Sequence, residues 1–277
     1  MKSRFAAVVV FALGCAPVPA WADAPPPPAG VQPAPLAEPP WVSARAVLDA
    51  AMPDLNEGGI RALAPHVDAF EKALADADKP YAGGDAGEVV LLTDGMMDMI
   101  VALAAAGKSH PDRKAVAIDD PFPAIALFLA SYYNEVGRFN DALRVVDREF
   151  ALNQGTLGEH RPALASERAV ALVQLYRLAE ALAAYEDGLQ LPALDDMGKA
   201  RMHRGRGYVL TEMGRLDEAE AAYRESLKLE PNNKLALDEL AYIAKLKAGG
   251  AKEPGVTVLP EATPDAQPDA KPDAKPE

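Results

Sequence analysis

The sequence predicts an all-α fold built from stacked helix pairs, because one two-helix pattern occurs three times in the second half of the chain. Equivalent alanines in the second helix of each pair, Ala142, Ala181 and Ala219, are spaced at nearly constant intervals. One more amphipathic segment follows the third copy and can cover its open apolar face. Together these observations predict an α-solenoid of three helix pairs and a capping helix within residues 119–248.

The clearest copy is segment 200–233, which divides into two amphipathic helices with a tight turn at Gly214. In its second helix Ala219, Tyr223 and Leu227 recur at steps of four residues and therefore share one helix face. Small residues in both helices would allow them to approach closely. The segment therefore predicts a compact helical hairpin.

The ends of the second helix in this copy are marked by polar residues and a proline. We expect Asp217 to be the N-cap, with Glu220 three residues later completing a capping box. Pro231 ends the helix, because proline restricts the residue before it and cannot continue the hydrogen-bond ladder.

Segment 200–233 resembles the tetratricopeptide repeat, a helix–turn–helix unit of about 34 residues. The resemblance implies a right-handed array of helix pairs that binds proteins and has no catalytic role of its own. His203 departs from the pattern, because a tryptophan or other large residue is common there. The matching residues are Gly207, Gly214, Leu216, Ala219, Tyr223, Leu227 and Pro231, followed by Asn232 and Asn233.

Two earlier segments, 123–152 and 162–191, have the same pattern of two amphipathic helices joined by a tight turn. The first has its turn at Gly137, whereas Tyr176 replaces the turn glycine in the second. After the third copy, residues 233–247 predict the capping helix. We expect its Leu237, Leu240, Ala241 and Ala244 to cover the last pair.

The region before the repeats, residues 41–118, is helical in pattern but matches no motif. A short helix is predicted over 42–51 and a longer one over 57–77, in which Pro65 indicates a kink or a later start. A third helix is predicted over 88–106 from its apolar residues. The pattern does not decide between a degenerate repeat and an N-terminal cap.

The first 22 residues have the organisation of a secretory signal peptide, with a basic start, a short apolar core and an Ala20-Trp21-Ala22 cleavage site. This predicts a mature protein that starts at Asp23 and is exported to the periplasm of a bacterium. Cys15 opens an alternative, because Leu13-Gly14-Cys15 resembles a bacterial lipobox. A lipidated Cys15 would make the protein a membrane-anchored structural tether.

Composition changes at both ends of the chain. Residues 23–40 are rich in proline and predict an extended linker, and residues 249–277 are too polar to fold. The formal net charge of −13 disfavours nucleic acid and anionic membrane surfaces as partners.

No catalytic or cofactor-binding arrangement is visible in the sequence. Gly107-Lys108-Ser109 lacks the earlier glycine and the preceding strand of a P-loop and is interpreted as a helix end. The four histidines are far apart, and Asp119-Asp120 and Glu159-His160-Arg161 are interpreted as solvated clusters beside turns. The sequence therefore predicts no enzyme, no metal and no cofactor. A remote alternative is an enzyme within 41–107 that depends on Asp94 or His66.

The remaining candidate is the concave groove lined by the first helix of each pair, which would hold a protein or peptide. The resemblance implies groove positions that also include Ser131, Ser166 and Val170. A solvated helix face with an Arg204–Tyr208 pair is the alternative interpretation. The family's lysine and asparagine clamp for a C-terminal carboxylate is not visible here, so that specificity is not implied. The predicted groove residues are Asn134, Glu135, Gln174, Arg201, Arg204, Tyr208, Glu212 and Tyr242.

Overall fold

The computed structural model describes residues 38–77, 87–153, 158–192 and 194–250. These residues are mostly helical and contain the three stacked pairs and the final helix, which confirms the predicted fold class. The predicted signal peptide and Cys15 lie outside the described residues, as do most of the linker and nearly all of the tail.

The second half of the described chain consists of helix pairs that stack in sequence order. Each pair packs within itself, and the second helix of one pair packs on the first helix of the next. Ala142, Ala181 and Ala219 are fully buried where these helices meet. The helices are α4 (Phe122–Glu135), α5 (Phe139–Leu152), α6 (Arg161–Gln174), α7 (Leu178–Gly188), α8 (Asp196–Glu212), α9 (Leu216–Leu229) and α10 (Lys234–Lys247).

The turn inside each pair has a left-handed residue at the same place. Gly137 has φ 80° and Gly214 has φ 75°, whereas the equivalent residue of the middle pair is Tyr176 with φ 57°. Glycine adopts this region freely, but a side chain with a Cβ is strained there. The middle turn therefore keeps the geometry of its neighbours at a cost in conformational energy.

The residue after each turn is an arginine that pairs with an acid three residues later. Arg215 forms this ion pair with Glu218 at 2.7 Å, and the other two turns form the same pair. The prediction that Asp217 is the N-cap was wrong, because α9 begins at Leu216 and its N-cap is Arg215. Asp217 and Glu220 instead each form an ion pair with Lys247, in which the carboxylate oxygen lies 2.5 Å from the Lys247 Nζ.

The final helix α10 covers α9, as the sequence predicted, but with a different face. Ala236 and Ile243 are fully buried, and Leu240 is half-buried. Leu237 is 48% exposed, and Ala241 and Ala244 are exposed as well. The buried face of α10 is therefore shifted by about one residue along the sequence from the predicted face.

The first helices form one more packed pair in front of the repeats. These are α1 (Pro40–Gly58) and α2 (Val67–Ala77), joined by a 3₁₀ segment, Ile60–His66, that contains Pro65. The helix predicted over 57–77 has the later start that Pro65 indicated, since the chain forms the 3₁₀ segment first and the α-helix begins after the proline. Tyr133 of α4 donates a hydrogen bond of 2.6 Å to Glu71 of α2, which fixes this pair on the first repeat.

A β–α–β unit, which the sequence did not predict, lies between α2 and α4. Strand β1 (Glu88–Thr93) pairs in parallel with β2 (Lys114–Asp119), and helix α3 (Met96–Ser109) connects them. The predicted helix over 88–106 was therefore wrong in its first half. A short apolar run fits a strand or a buried helix equally well, and Gly95 with φ 91° separates the two elements here.

None of the described helices combines the length and apolar character that a membrane-spanning helix needs. Gly107-Lys108-Ser109 lies at the C-terminal end of α3, as the sequence predicted.

We expect Tyr176→Gly to stabilise the protein by about 1 kcal/mol, because it removes the strain of a left-handed tyrosine and costs less than that in unfolded-state entropy. The side chain is 55% exposed, so little packing is lost. The free energy of unfolding, measured by urea denaturation, checks this. As a matched control, Gly214→Ala places a Cβ at a φ of 75° and should destabilise the protein. If the Tyr176→Gly variant is no more stable than the wild type, the proposed backbone strain at Tyr176 is contradicted.

Candidate functional site

An open cavity of about 530 Å³ lies on one face of the stack. It is bordered by the first helices of the second and third pairs and by the final helix. This cavity, together with its lining, is called the groove cavity below. Its volume lies in the usual range of ligand sites. Its lining is Ser166, Val170, Val173 and Gln174 of α6, Tyr185 of α7, Arg201, Arg204, Gly205 and Tyr208 of α8, Tyr223 of α9, and Leu235 and Glu239 of α10.

Two tyrosines reach the groove cavity from the second helices because glycines on α8 leave room for their rings. A Cβ on Gly205 would lie 2.3 Å from Tyr185 Cζ, and one on Gly207 would lie 2.8 Å from Tyr223 Cδ2. Both rings are buried, and burial raises the pKa of Tyr185 to about 12. Both phenols therefore remain neutral at physiological pH and can donate a hydrogen bond.

The Tyr223 hydroxyl is buried and interacts with the Glu239 carboxyl of α10. The whole residue is 0% exposed, and burial raises its pKa further than that of Tyr185. Burial also raises the pKa of the Glu239 carboxyl above its ordinary value. The Tyr223 hydroxyl and the Glu239 carboxyl therefore meet at the base of the groove cavity.

The two arginines of the groove cavity differ in what holds them. Arg204 forms an ion pair with Glu230 at the end of α9. Arg201 is exposed, and its side chain forms no hydrogen bond or ion pair with a residue that the structure describes. The Arg201 guanidinium is therefore free to bind an anion.

The structure brings four of the predicted groove residues together and separates the other four. Gln174, Arg201, Arg204 and Tyr208 line the groove cavity, with Ser166 and Val170 beside them. The others, Asn134, Glu135, Glu212 and Tyr242, are not part of its lining. The Asn134 amide instead donates to Glu167 Oε2 at 2.7 Å, and Glu135 accepts from Arg61 at 2.7 Å, which directs it towards the N-terminal helices.

Sequence reasoning missed six residues of the groove cavity: Val173, Tyr185, Gly205, Tyr223, Leu235 and Glu239. Tyr185 and Tyr223 occupy the same place in successive pairs, and Gly205 lies on the helix between them. That combination of repeated tyrosines with intervening glycines was a usable signal. Leu235 and Glu239 lie on α10, where the position of the face depends on packing.

The profile of the family named Tetratricopeptide repeat matches residues 200–233, which include most of α8 and all of α9. Residues 200–233 are a tetratricopeptide repeat (TPR). No curated protein sequence matches the chain.

Several solved structures of TPR proteins align with this chain. The first TPR domain of human RPAP3 is 23% identical, covers 46% of this chain and 94% of its own, and has a TM-score of 0.41. The first TPR of Spaghetti (RPAP3), bound to the HSP90 peptide SRMEEVD, is also 23% identical, with 47% and 97% coverage and the same TM-score, 0.41. A crystal structure of MamA is 18% identical over 66% of this chain and 80% of its own, with a TM-score of 0.41.

A second polar site lies outside the TPR, where the β–α–β unit meets the loop before α6. Asp94, after β1, is buried, and its Oδ1 lies 2.5 Å from His160 Nδ1. Its Oδ2 accepts a hydrogen bond of 3.1 Å from the His160 backbone N–H. Asp120, after β2, lies at the same edge because the carboxyl ends of parallel strands coincide.

This arrangement corrects the interpretation of His160 as part of a solvated loop cluster, because Asp94 holds both its imidazole and its backbone N–H. Asp119 is exposed, and Asp120 marks the entry to α4, because its Oδ1 accepts a hydrogen bond of 2.9 Å from the Phe122 backbone N–H. The hydrogen bond to Asp94 raises the pKa of His160. Burial, reinforced by neighbouring carboxylates, raises the pKa of Glu149 to about 7, and burial raises the pKa of Asp120 to about 6. The residues lie far apart in the sequence, so no local spacing could have revealed the cluster.

We expect Gly205→Ala to destabilise the protein by about 1–3 kcal/mol, because the new Cβ would overlap the buried Tyr185 ring. Thermal unfolding followed by circular dichroism measures the effect. Gly107→Ala is the matched control, since a Cβ there meets no atom within 4 Å and helix propensity favours alanine. Equal melting temperatures for the two variants would contradict the close contact between Gly205 and the Tyr185 ring.

The raised pKa of Glu239 predicts a pH dependence of stability. A carboxyl whose folded-state pKa lies above its unfolded value of about 4.5 stabilises the fold below that pH and loses this contribution as the pH rises through the folded-state pKa. Urea unfolding at pH 4 and pH 7 should therefore show Glu239→Gln gaining stability relative to the wild type at the higher pH. A difference that is the same at both pH values would contradict the burial of this carboxyl.

Proposed function

We propose that this protein binds an extended segment of another protein in the groove cavity and has no catalytic activity of its own. The observation that carries the proposal is the groove cavity with Arg201 in its lining, because the Arg201 side chain forms no hydrogen bond or ion pair with a residue that the structure describes. An anionic group of a ligand can pair with this guanidinium. The TPR at residues 200–233 supports a protein as the partner.

The lining of the groove cavity indicates the chemistry of the bound segment. Val170, Val173 and Leu235 offer apolar surface, while Gln174 and Ser166 offer side chains that can hydrogen-bond to a peptide backbone. A carboxylate of the segment pairs with Arg201, and a neighbouring apolar side chain enters the cavity. The partner is therefore a segment that combines an acidic with an apolar residue.

A second cavity of about 340 Å³ shares Ser166 and Arg201 with the groove cavity. Leu194, Met197 and Met202 contribute apolar surface to it. The two cavities together give a site longer than one side chain, which suits an extended segment and not a single small molecule.

The cellular location belongs to the same proposal. The predicted signal peptide of residues 1–22 supports export, and we propose that the protein acts in the bacterial periplasm. Mass spectrometry of the mature N-terminus tests this. A start at Asp23 supports a released protein, whereas an acylated Cys15 supports the membrane tether.

We expect Arg201→Ala to weaken peptide binding about 10- to 100-fold, because it removes a charge-assisted hydrogen bond. Fluorescence anisotropy with a library of acidic–apolar peptides measures affinity. Arg224→Ala, on the exposed side of α9, is the matched control and should leave affinity unchanged.

Photocrosslinking in cells identifies the partner and tests the face that it uses. A photoreactive residue at Tyr208 or Gln174 should capture a specific protein, and one at Glu225 on the outer face should not. Equal capture from both faces, or capture only from Glu225, would remove the groove cavity as the binding site.

A further inference from the structure

Three ligand-bearing side chains converge at the junction of the β–α–β unit and α6. Asp94, Glu159 and His160 each place one ligand atom so that all three atoms lie within 4.8 Å of one another. This set is called the junction cluster below. One imidazole nitrogen and two carboxylates are donors that divalent first-row metals accept.

A fourth carboxylate lies beside the junction cluster. Glu149 of α5 is 5% exposed, and Glu149 and Asp94 line the same small cavity, whose free volume is about that of one water molecule. Arg161 lines this cavity as well, and its positive charge offsets part of the cost of burying the Glu149 carboxylate. Glu149 is therefore a neighbour of the junction cluster and not one of its ligands.

The backbone around the junction cluster leaves space for its carboxylates. A Cβ on Gly158 would lie 2.5 Å from Asp94 Oδ2, and one on Gly95 would lie 2.7 Å from Glu159 Oε2. Gly95 also has a φ of 91°, which a residue with a side chain rarely adopts. Both glycines therefore allow the acidic side chains to approach the backbone of the two loops.

We propose that the junction cluster binds a divalent transition-metal ion of the zinc type, held by Asp94, Glu159 and His160. The ion takes the place of the hydrogen shared by Asp94 and His160, so these two ligand atoms move apart by about 1 Å. The imidazole favours zinc over magnesium and calcium, which prefer oxygen ligands alone. The bound ion would join the β–α–β unit and the loop before α6.

Calorimetric titration of the full chain, made without a histidine tag and stripped with a chelator, tests the proposal. We expect one Zn²⁺ per chain, a higher melting temperature with Zn²⁺ and no comparable binding of Mg²⁺ or Ca²⁺. Glu159→Gln and His160→Asn should each lower Zn²⁺ affinity at least about tenfold. Glu159 is exposed, so its variant should fold normally and decides the test if His160→Asn unfolds.

The chain offers a matched control in its other histidine–aspartate pair. His66 Nε2 lies 2.7 Å from Asp54 Oδ2, but this pair is not part of a three-ligand group among the described residues. His66→Asn should therefore leave Zn²⁺ affinity unchanged. No Zn²⁺ binding by the wild type, equal affinity in Glu159→Gln, or tighter binding of Mg²⁺ or Ca²⁺ than of Zn²⁺ would each overturn the proposal.

Discussion

The close approach of neighbouring helices is the constraint on which the structure depends. Alanines that are fully buried at equivalent positions, such as Ala142 and Ala219, let one helix pair pack on the next. On α8 the small residues are Gly205 and Gly207, and the space they leave is filled by tyrosine rings from the adjacent second helices. Larger residues at these positions would separate the helices and lose van der Waals contact along the stack. The same packing leaves the groove cavity open between α6, α8 and α10.

The repeats keep their shape through local backbone geometry as well as through side-chain packing. In each turn the arginine backbone N–H donates to a carbonyl five residues earlier, at 2.7 or 2.8 Å, and the preceding residue is left-handed. The middle turn achieves this with Tyr176, which shows that the stacking free energy exceeds the strain of one residue. The N-terminal pair α1–α2 has no such turn. It uses a 3₁₀ segment, and its place in the stack is fixed by ties to α4, such as the Tyr133–Glu71 hydrogen bond.

The predictable parts of the fold were those with a long and repeated pattern. Helices of 11 to 17 residues in the three pairs carry their apolar periodicity clearly, and the turn glycines mark their ends. The strands were missed because EVVLLT and KAVAID are short and neither alternates clearly in burial. The N-cap of α9 was misplaced because an acid in the first turn resembles a capping residue in sequence. Four of the eight predicted groove residues line the groove cavity, since helix periodicity gives the face of α6 and α8 but not which side chains are already held by other elements.

The sequence by itself determined that the chain forms stacked helix pairs and in which order they occur. These properties follow from periodicity and from residue size, which act locally along the chain. Only the tertiary structure decided that Tyr223 is buried beside Glu239, that Glu230 holds Arg204 while no described residue pairs with Arg201, and that Asp94 meets His160. Those facts depend on contacts between residues far apart in the chain. Such contacts are fixed by how the β–α–β unit and the helices pack together, and no local pattern encodes that packing.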